Sequence, residues 1–269
     1  MPKPAVKTKE VPACERILGF SEVTCGYTQE EAISEASRCL QCKDPKCISG
    51  CPVGINIKQF IKQVTQKDFA GAYYTIRGKS NFPCICGRVC PAEYQCRKAC
   101  VLTKKDSPFA GTDSINIHFL ERFVGDFGMK NGLMVNITPD ERIFGHKVAV
   151  VGSGPAGLCC AGELARLGVK VTVFEALHKN GGVLRYGIPP FRMPRDILDF
   201  EINYLKNLGV EILPNFIVGK TNDLTDLFKE GFSAVFLGLG AGVPSFLGIE
   251  GENLCNVYSA NEFLTRVNL

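Results

Sequence analysis

Histidine is scarce in this chain: His118, His146 and His178 are the only three in 269 residues, and none has the spacing of a nucleophile's partner. A catalytic triad is therefore not readable. No run of about 18 apolar residues occurs, which argues against a membrane-spanning helix. An excess of one charge is missing as well. The formal net charge is +4, and apart from the amino-terminal arm and Lys104 with Lys105 the lysines are scattered. Such a pattern gives a solvated basic face and no nucleic-acid footprint. The opening residues, MPKPAVKTKEVP, contain no apolar stretch that would serve as a secretory signal. The expected setting is a reducing cytoplasm, where disulfides are not expected. With 45% hydrophobic and 22% charged residues the chain is globular, long enough for one large or two ordinary domains.

Cysteine, by contrast, is abundant, and seven of the fourteen fall in two runs: Cys39, Cys42, Cys47 and Cys51, then Cys90, Cys96 and Cys100. The first reads C-x2-C-x4-C-x3-C-P, close to the bacterial ferredoxin pattern, in which the cysteine before proline ligates the other cluster of a pair. The second is its mirror, C-P-x4-C-x3-C. The economical assignment gives Cys39, Cys42, Cys47 and Cys100 to one four-iron cluster and Cys51, Cys90 and Cys96 to another. Eight ligands are needed and seven are supplied, so Cys86, Cys84 or a non-cysteine donor must complete the set. Zinc also takes thiolates, but structural zinc usually uses two separated CxxC or CxxH pairs, and this chain has a single CxxC. Cys159 and Cys160 read as small packing residues, and Cys14, Cys25 and Cys255 have no partner spacing.

Residues 1–27 read as an arm. Thr28 to Glu31 forms a T-x-x-E capping box that opens a helix toward Cys39. Ile57, Phe60, Ile61 and Val64 follow helical spacing behind Asn56, and Ile115, Phe119, Phe123 and Phe127 do so in a later segment ended by Gly128. Residues 28–143 are thus expected to form an all-α domain with a thin core, dependent on bound clusters for much of its folding free energy. From residue 144 to 269 the pattern changes to α/β. KVAVVG is a strand, GSGPAG a turn, Pro155 to Leu167 a helix closed by Gly168, and KVTVFE a second strand. Gly152, Gly154 and Gly157 match GxGxxG: the first permits the turn, the second lets phosphate approach the backbone, and the third lets helix and strand pack closely. The helix amino terminus favours a pyrophosphate. Glu175 ends the second strand, where an acid bonds ribose hydroxyls. These features indicate a dinucleotide without choosing between FAD and NAD.

CLQCKDPKCISGCPVGINI, CGRVCPAEYQCRKAC, INIHFLERFV, VVGSGPAGL and GGVLRYGIPPFRMP occur in this order. In them the chain resembles the family of the small subunit of NADPH-dependent glutamate synthase, whose module also looks like the amino-terminal half of dihydropyrimidine dehydrogenase and the large subunit of NADH-dependent ferredoxin:NADP oxidoreductase. The resemblance implies an iron-sulfur flavoprotein oxidoreductase that passes electrons between NAD(P)H, FAD, two 4Fe-4S clusters and a partner. That partner is an electron-acceptor subunit or domain, such as a glutamate synthase large subunit or a ferredoxin-like protein. For FAD it implies Gly152, Ser153, Gly154, Pro155 and Ala156 at the pyrophosphate, Glu175 at the ribose, Gly181, Gly182 and Val183 after it, and Arg192 beyond. Val89 and Val218 would also lie near the flavin.

It further implies Glu121 as the eighth cluster ligand, with Cys86 the competitor. One departure is that VLTKKDSPFAGTDS, between Cys100 and Ile115, is longer than usual for the family. A second glycine-rich βαβ unit for NAD(P)H, and the piece that closes the FAD domain, would follow in the family. Neither is in these residues, so the expectation is a fragment with an incomplete Rossmann-like FAD domain. The alternative is a non-catalytic electron-transfer subunit, complete as it stands, that docks to a partner reductase.

Overall fold

Side chains that satisfy exposed backbone N–H groups set three of the helix starts of the amino-terminal half, those behind Thr28, Asn56 and Asp68. In the computed structural model, which describes residues 4–103, 113–136 and 138–269, the Thr28 hydroxyl accepts from Glu31 N–H and the Glu31 carboxylate accepts from Thr28 N–H, at 3.2 and 2.9 Å. The chain divides into two compact units, Met1–Val135 and Asn136–Leu269. Among the described residues no helix is long and apolar enough to cross a membrane.

The first unit opens with β1 (Lys9–Glu10), α1 (Ala13–Arg16) and β2 (Thr24–Gly26). β1 and β2 pair antiparallel, and both lie in the residues read as an arm, ahead of the segment expected to be all-α. The remaining elements are helical: α2 (Gln29–Ala36), α3 (Lys46–Ser49), α4 (Ile57–Thr65), α5 (Phe69–Arg77), α6 (Pro83–Val89) and α7 (Ile117–Lys130). Asn56 caps α4 by accepting from Gln59 N–H at 3.2 Å, and Asp68 caps α5 through Gly71 N–H at 2.9 Å. Helix α4 buries Ile57, Phe60, Ile61 and Val64 against a core that includes Tyr73, Ile76, Leu120 and Val124. The residues read as an arm join this unit, with Val6 packed on the same core. Most of the VLTKKDSPFAGTDS stretch, including Lys104 and Lys105, lies outside the described residues.

Helix α7 departs from its sequence expectation. Ile115 is buried but precedes it, and Gly128 lies inside it rather than ending it. The most buried stripe is Ile117, Leu120, Glu121, Val124, Gly125 and Gly128, with Phe119, Phe123 and Phe127 half-buried on its flanks. Their rings meet Tyr27 and Phe69 edge-on, with centroids 5.1 to 5.7 Å apart. The reason is steric. A Cβ on Gly128 would sit 2.1 Å from the Tyr73 ring, so the closest approach of α5 and α7 admits no side chain there.

The second unit contains β3 (Lys147–Val151), α8 (Pro155–Arg166), β4 (Lys170–Phe174), α9 (Val183–Tyr186), α10 (Arg195–Asn207), β5 (Glu211–Leu213), α11 (Leu224–Lys229), β6 (Ala234–Leu237) and α12 (Ala260–Asn268). The four strands are parallel in the order β5-β4-β3-β6. This is half of the doubly wound arrangement, and the order reverses between β3 and β6, where such sheets open a crevice for ligands. Pro155 takes the first position of α8, where its missing N–H costs nothing, and Gly168 follows the helix at φ +83°.

Candidate functional site

The first unit gathers cysteines that are far apart in sequence. Cys39 follows the end of α2, Cys47 lies on α3, and Cys100 comes from the second run. With Cys42 they line one largely apolar pocket whose other walls include Ile57, Ile61, Leu102 and Ile117. Burial, then the neighbouring thiols of Cys39, Cys100 and Cys42, push the Cys47 thiol up to about 11. Cys39 is raised by burial and by Cys100 and Cys42. Thiols crowded into an apolar volume repel one another as thiolates, and a bound cation inverts that preference, since a coordinating thiol is deprotonated outright.

A second group forms around Cys51, Cys90, Cys96 and Glu121. Burial and then the charges of Glu121, Cys51 and Glu93 push Cys90 up to about 11. Cys96 rises to about 12 from burial, Cys90, Cys51 and Glu121. Two glycine contacts make the grouping possible. A Cβ on Gly50 would lie 3.0 Å from Ala99 Cβ and 3.3 Å from Cys96 Cα, so a glycine lets the first run press against the second. At the crossing of α6 and α7, a Cβ on Gly87 would lie 2.4 Å from the backbone of Arg122, which brings the end of α6 toward Glu121. Glu121 is 6% exposed.

The two other cysteines of α6 are placed differently from each other. Cys84 is fully buried with Sγ 3.1 Å from where a Gly125 Cβ would be, and Cys86 is half-buried. Among the described residues no three His, Cys, Asp or Glu side chains converge as the ligands of a single ion would. A four-iron cube takes one donor at each iron and so spreads its donors more widely.

Two polar networks beside these groups were not foreseen. Arg88, two residues before Cys90, bonds Asp126 through two nitrogens at 2.7 and 2.9 Å and Glu22 at 2.9 Å, and Arg122 reaches Glu22 at 3.0 Å. Both guanidiniums are almost fully buried, and the two carboxylates balance their charge. Beside Cys39, the fully buried Glu35 accepts from Arg38 at 2.6 Å, Val6 N–H at 2.8 Å and Asn116 N–H at 2.8 Å. Arg38 also donates to the carbonyls of Asp113 and Ser114 at 2.7 and 3.3 Å. The sequence held one hint, an arginine just before the first cysteine of each run. The acidic partners of Arg88 come from segments far along the chain, whereas Glu35 is only three residues before Arg38.

In the second unit the glycine turn follows β3. Gly152 has φ +99°, and a Cβ there would meet the Gly238 carbonyl at 2.4 Å. On Gly157 it would meet the Gly152 carbonyl at 1.9 Å. Gly154 differs: nothing lies within 4 Å of its Cβ position, leaving open space at the amino terminus of α8 beside Pro155 and the exposed Ala156. A phosphate fits such a cradle. The loop after β4 closes on the turn. A Cβ on Gly182 (φ +51°) would meet Gly154 Cα at 2.8 Å, and Gly181 N–H donates to the Ser153 hydroxyl at 3.0 Å.

Glu175, 6% exposed, accepts from Ser153 N–H at 2.8 Å, from the Ser153 hydroxyl and from Leu177 N–H at 2.8 Å. It thus ties the turn to the end of β4. Val183, 55% exposed, starts α9, while Val218 packs beside Phe174 and Leu227. Arg192 is exposed, its backbone N–H bonded to the Pro189 carbonyl at 3.0 Å, and Val89 ends α6 in the first unit.

Comparison with known proteins agrees with this division of chemistry. Residues 16–133 match the family described as dihydropyrimidine dehydrogenase domain II, 4Fe-4S cluster, and residues 150–209 match the NAD(P)-binding Rossmann-like domain. The chain is 37% identical over 250 residues to the NAD-dependent dihydropyrimidine dehydrogenase subunit PreT of Salmonella typhimurium, covering 92% of this chain and 57% of that protein. It is 33% identical over 257 residues to the glutamate synthase [NADPH] small chain of Azospirillum brasilense, covering 96% and 52%. The glutamate synthase [NADPH] small chain of Mycobacterium tuberculosis is 36% identical over 260 residues, covering 97% and 51%. The chain thus spans about half the length of the curated relatives it matches. Its homologues are the PreT dihydropyrimidine dehydrogenase subunit and the glutamate synthase small chain, and it carries a 4Fe-4S domain match followed by an NAD(P)-binding Rossmann-like domain match.

Proposed function

We propose that these residues form the cluster-bearing and flavin-binding part of an NAD(P)H-dependent oxidoreductase that relays electrons to a partner subunit or domain. The observation that carries the reading is the sorting of eight donors into two groups of four, each drawn from both cysteine runs, with Glu121 of α7 completing the second. Cys39, Cys42, Cys47 and Cys100 would hold one 4Fe-4S cluster, and Cys51, Cys90, Cys96 and Glu121 the other. When bound, FAD would supply the change between two-electron and one-electron transfer, and the clusters the one-electron steps.

The remaining roles belong to the protein's own groups. The open face of Gly154 and the α8 amino terminus would receive the FAD pyrophosphate. The Glu175 carboxylate, with three of its roughly four acceptor positions used by Ser153 and Leu177, would keep one for a ribose hydroxyl. Gly181, Gly182, Val183 and Arg192 would line the continuing cofactor. Glu121, a harder donor than a thiolate, would set the second cluster apart in potential. No side chain need move a proton, and the nicotinamide would be bound by a further domain of the full-length protein. A cytoplasmic location suits thiolate-held clusters.

The test is anaerobic purification of the full-length protein with iron, sulfide and flavin quantitation, followed by NAD(P)H-dependent reduction of an artificial acceptor. About eight irons and eight sulfides per chain are expected, with Glu121→Ala falling to about four and Cys86→Ser unchanged. Zinc in place of iron, or bound flavin without reduction of the acceptor, would overturn the reading. The second outcome would favour an electron-transfer subunit that relies on a partner reductase.

A further inference from the structure

Gln41, between Cys39 and Cys42, is a non-glycine residue at φ +51°, in the left-handed region that glycine occupies without strain. Strain retained beside a functional group points to a use for the side chain that incurs it. That side chain is turned inward. Its Nε2 lies 3.3 Å from the Lys58 carbonyl and 3.5 Å from Cys39 Sγ. The carbonyl can only accept, so the atom facing it is the amide nitrogen, and the second hydrogen of that nitrogen is left for the sulfur. Oε1 is buried with no hydrogen-bond partner among the described residues. The amide is therefore held for its donor end. The backbone N–H of Gln41 reaches the same sulfur.

We propose that Gln41 is a positioning residue that raises the reduction potential of the cluster held by Cys39, by donating its side-chain N–H to the Cys39 sulfur. This rests on the reading that Cys39 carries a cluster. Reduction adds one electron and places more negative charge on the sulfurs, so a donor to a cysteine sulfur stabilises the reduced form more than the oxidised form. Lys58, on α4, acts as the anchor: its carbonyl fixes the rotamer that aims the amide.

The experiment is a dithionite redox titration of the anaerobic full-length protein, followed by electron paramagnetic resonance, for wild type, Gln41→Leu and Gln41→Gly. The wild-type iron content and signals test the cluster reading by themselves. The comparison among the three proteins tests the role of Gln41. Losing one ordinary hydrogen bond should shift the one-electron equilibrium about fivefold toward the oxidised form, which is ~40 mV lower at about 59 mV per tenfold. Both variants should show this for one cluster signal and leave the other unmoved. Gln41→Gly relaxes the backbone and keeps its N–H, so it provides the titration where Gln41→Leu loses iron. Potentials equal to wild type in either iron-replete variant would overturn the proposal. Loss of iron from both would also overturn it, by making Gln41 a structural residue.

Discussion

Replacing Gly87 by alanine tests how the second donor group is assembled. In an ordinary helix interior the change is favourable by about 1 kcal/mol, because alanine loses less backbone freedom than glycine. At Gly87 the new Cβ would lie 2.4 Å from both Cα and N of Arg122 and 2.6 Å from its Cβ. Contact between carbon atoms needs about 3.5 Å, so α6 or α7 must retreat by roughly 1 Å. The obstacle is backbone on a fourteen-residue helix, not the end of a flexible side chain. Overpacking of this kind costs about 1 to 3 kcal/mol, which exceeds the propensity gain over most of its range. The retreat also pulls Glu121, next to Arg122, away from Cys90 at the end of α6.

Gly87→Ala should therefore lower the midpoint of thermal bleaching at a fixed scan rate, the suitable measure where unfolding is irreversible. It should also selectively lower the iron bound by the second group, with the signal of the first retained. An unchanged or raised midpoint with full iron content would show that the seam is looser than the structure has it, and would refute the argument for how Glu121 is placed.

Three further outcomes follow. Arg88→Met leaves Glu22 and Asp126 with Arg122 as their remaining described partner. Breaking a fully buried pair costs about 3 to 5 kcal/mol, reduced to about 2 here because both carboxylates are one-fifth exposed, and anaerobic denaturant titration measures it. Gly154→Ala should keep wild-type stability, since its φ of −70° suits any residue and its Cβ position is open, yet lose flavin on gel filtration. Gly157→Ala should fail to fold its domain, because of the 1.9 Å clash.

Burial, with Arg97 adding to it, holds His118 down from its usual 6.5 to about 4. The unfolded chain takes up the proton first, so the stability from keeping this ring neutral is present above pH ~6.5 and is lost as pH falls toward ~4. It amounts to at most about 3 kcal/mol at about 1.4 kcal/mol per tenfold. His118→Gln should flatten that part of the stability profile between pH 5.5 and 7.5, and an identical slope in both proteins would show the ring to be unburied or paired.

Much of the fold was legible because its signals are local. The Thr28 capping box, the Asn56 cap, the spacing of Ile57, Phe60, Ile61 and Val64, and the strand-turn-helix-strand around Gly152 each depend on residues within a few positions of one another. Local rules failed on α7. Phe119, Phe123 and Phe127 had the more conspicuous helical period, but a seam between closely crossed helices excludes large rings, and Gly125 and Gly128 fill it instead. A sequence reading treats such a glycine as a stop, since nothing nearby shows that Tyr73 will lie across it.

The candidate sites divide along the same line. The residue types of the two sites were legible in the sequence alone: thiols at ferredoxin-like spacing, and glycines that a close phosphate or a tight turn requires. Which groups share a volume was decided by tertiary contacts. Gly50 against Ala99 and Gly87 against Arg122 bring Glu121 within electrostatic reach of Cys90 and Cys96. Arg88 finds Asp126 and Glu22, and Glu35 finds the Val6 and Asn116 N–H groups, only once the helices are packed. Distances of this kind depend on where whole helices cross, and a crossing is the summed result of many side-chain contacts that no short stretch of sequence encodes.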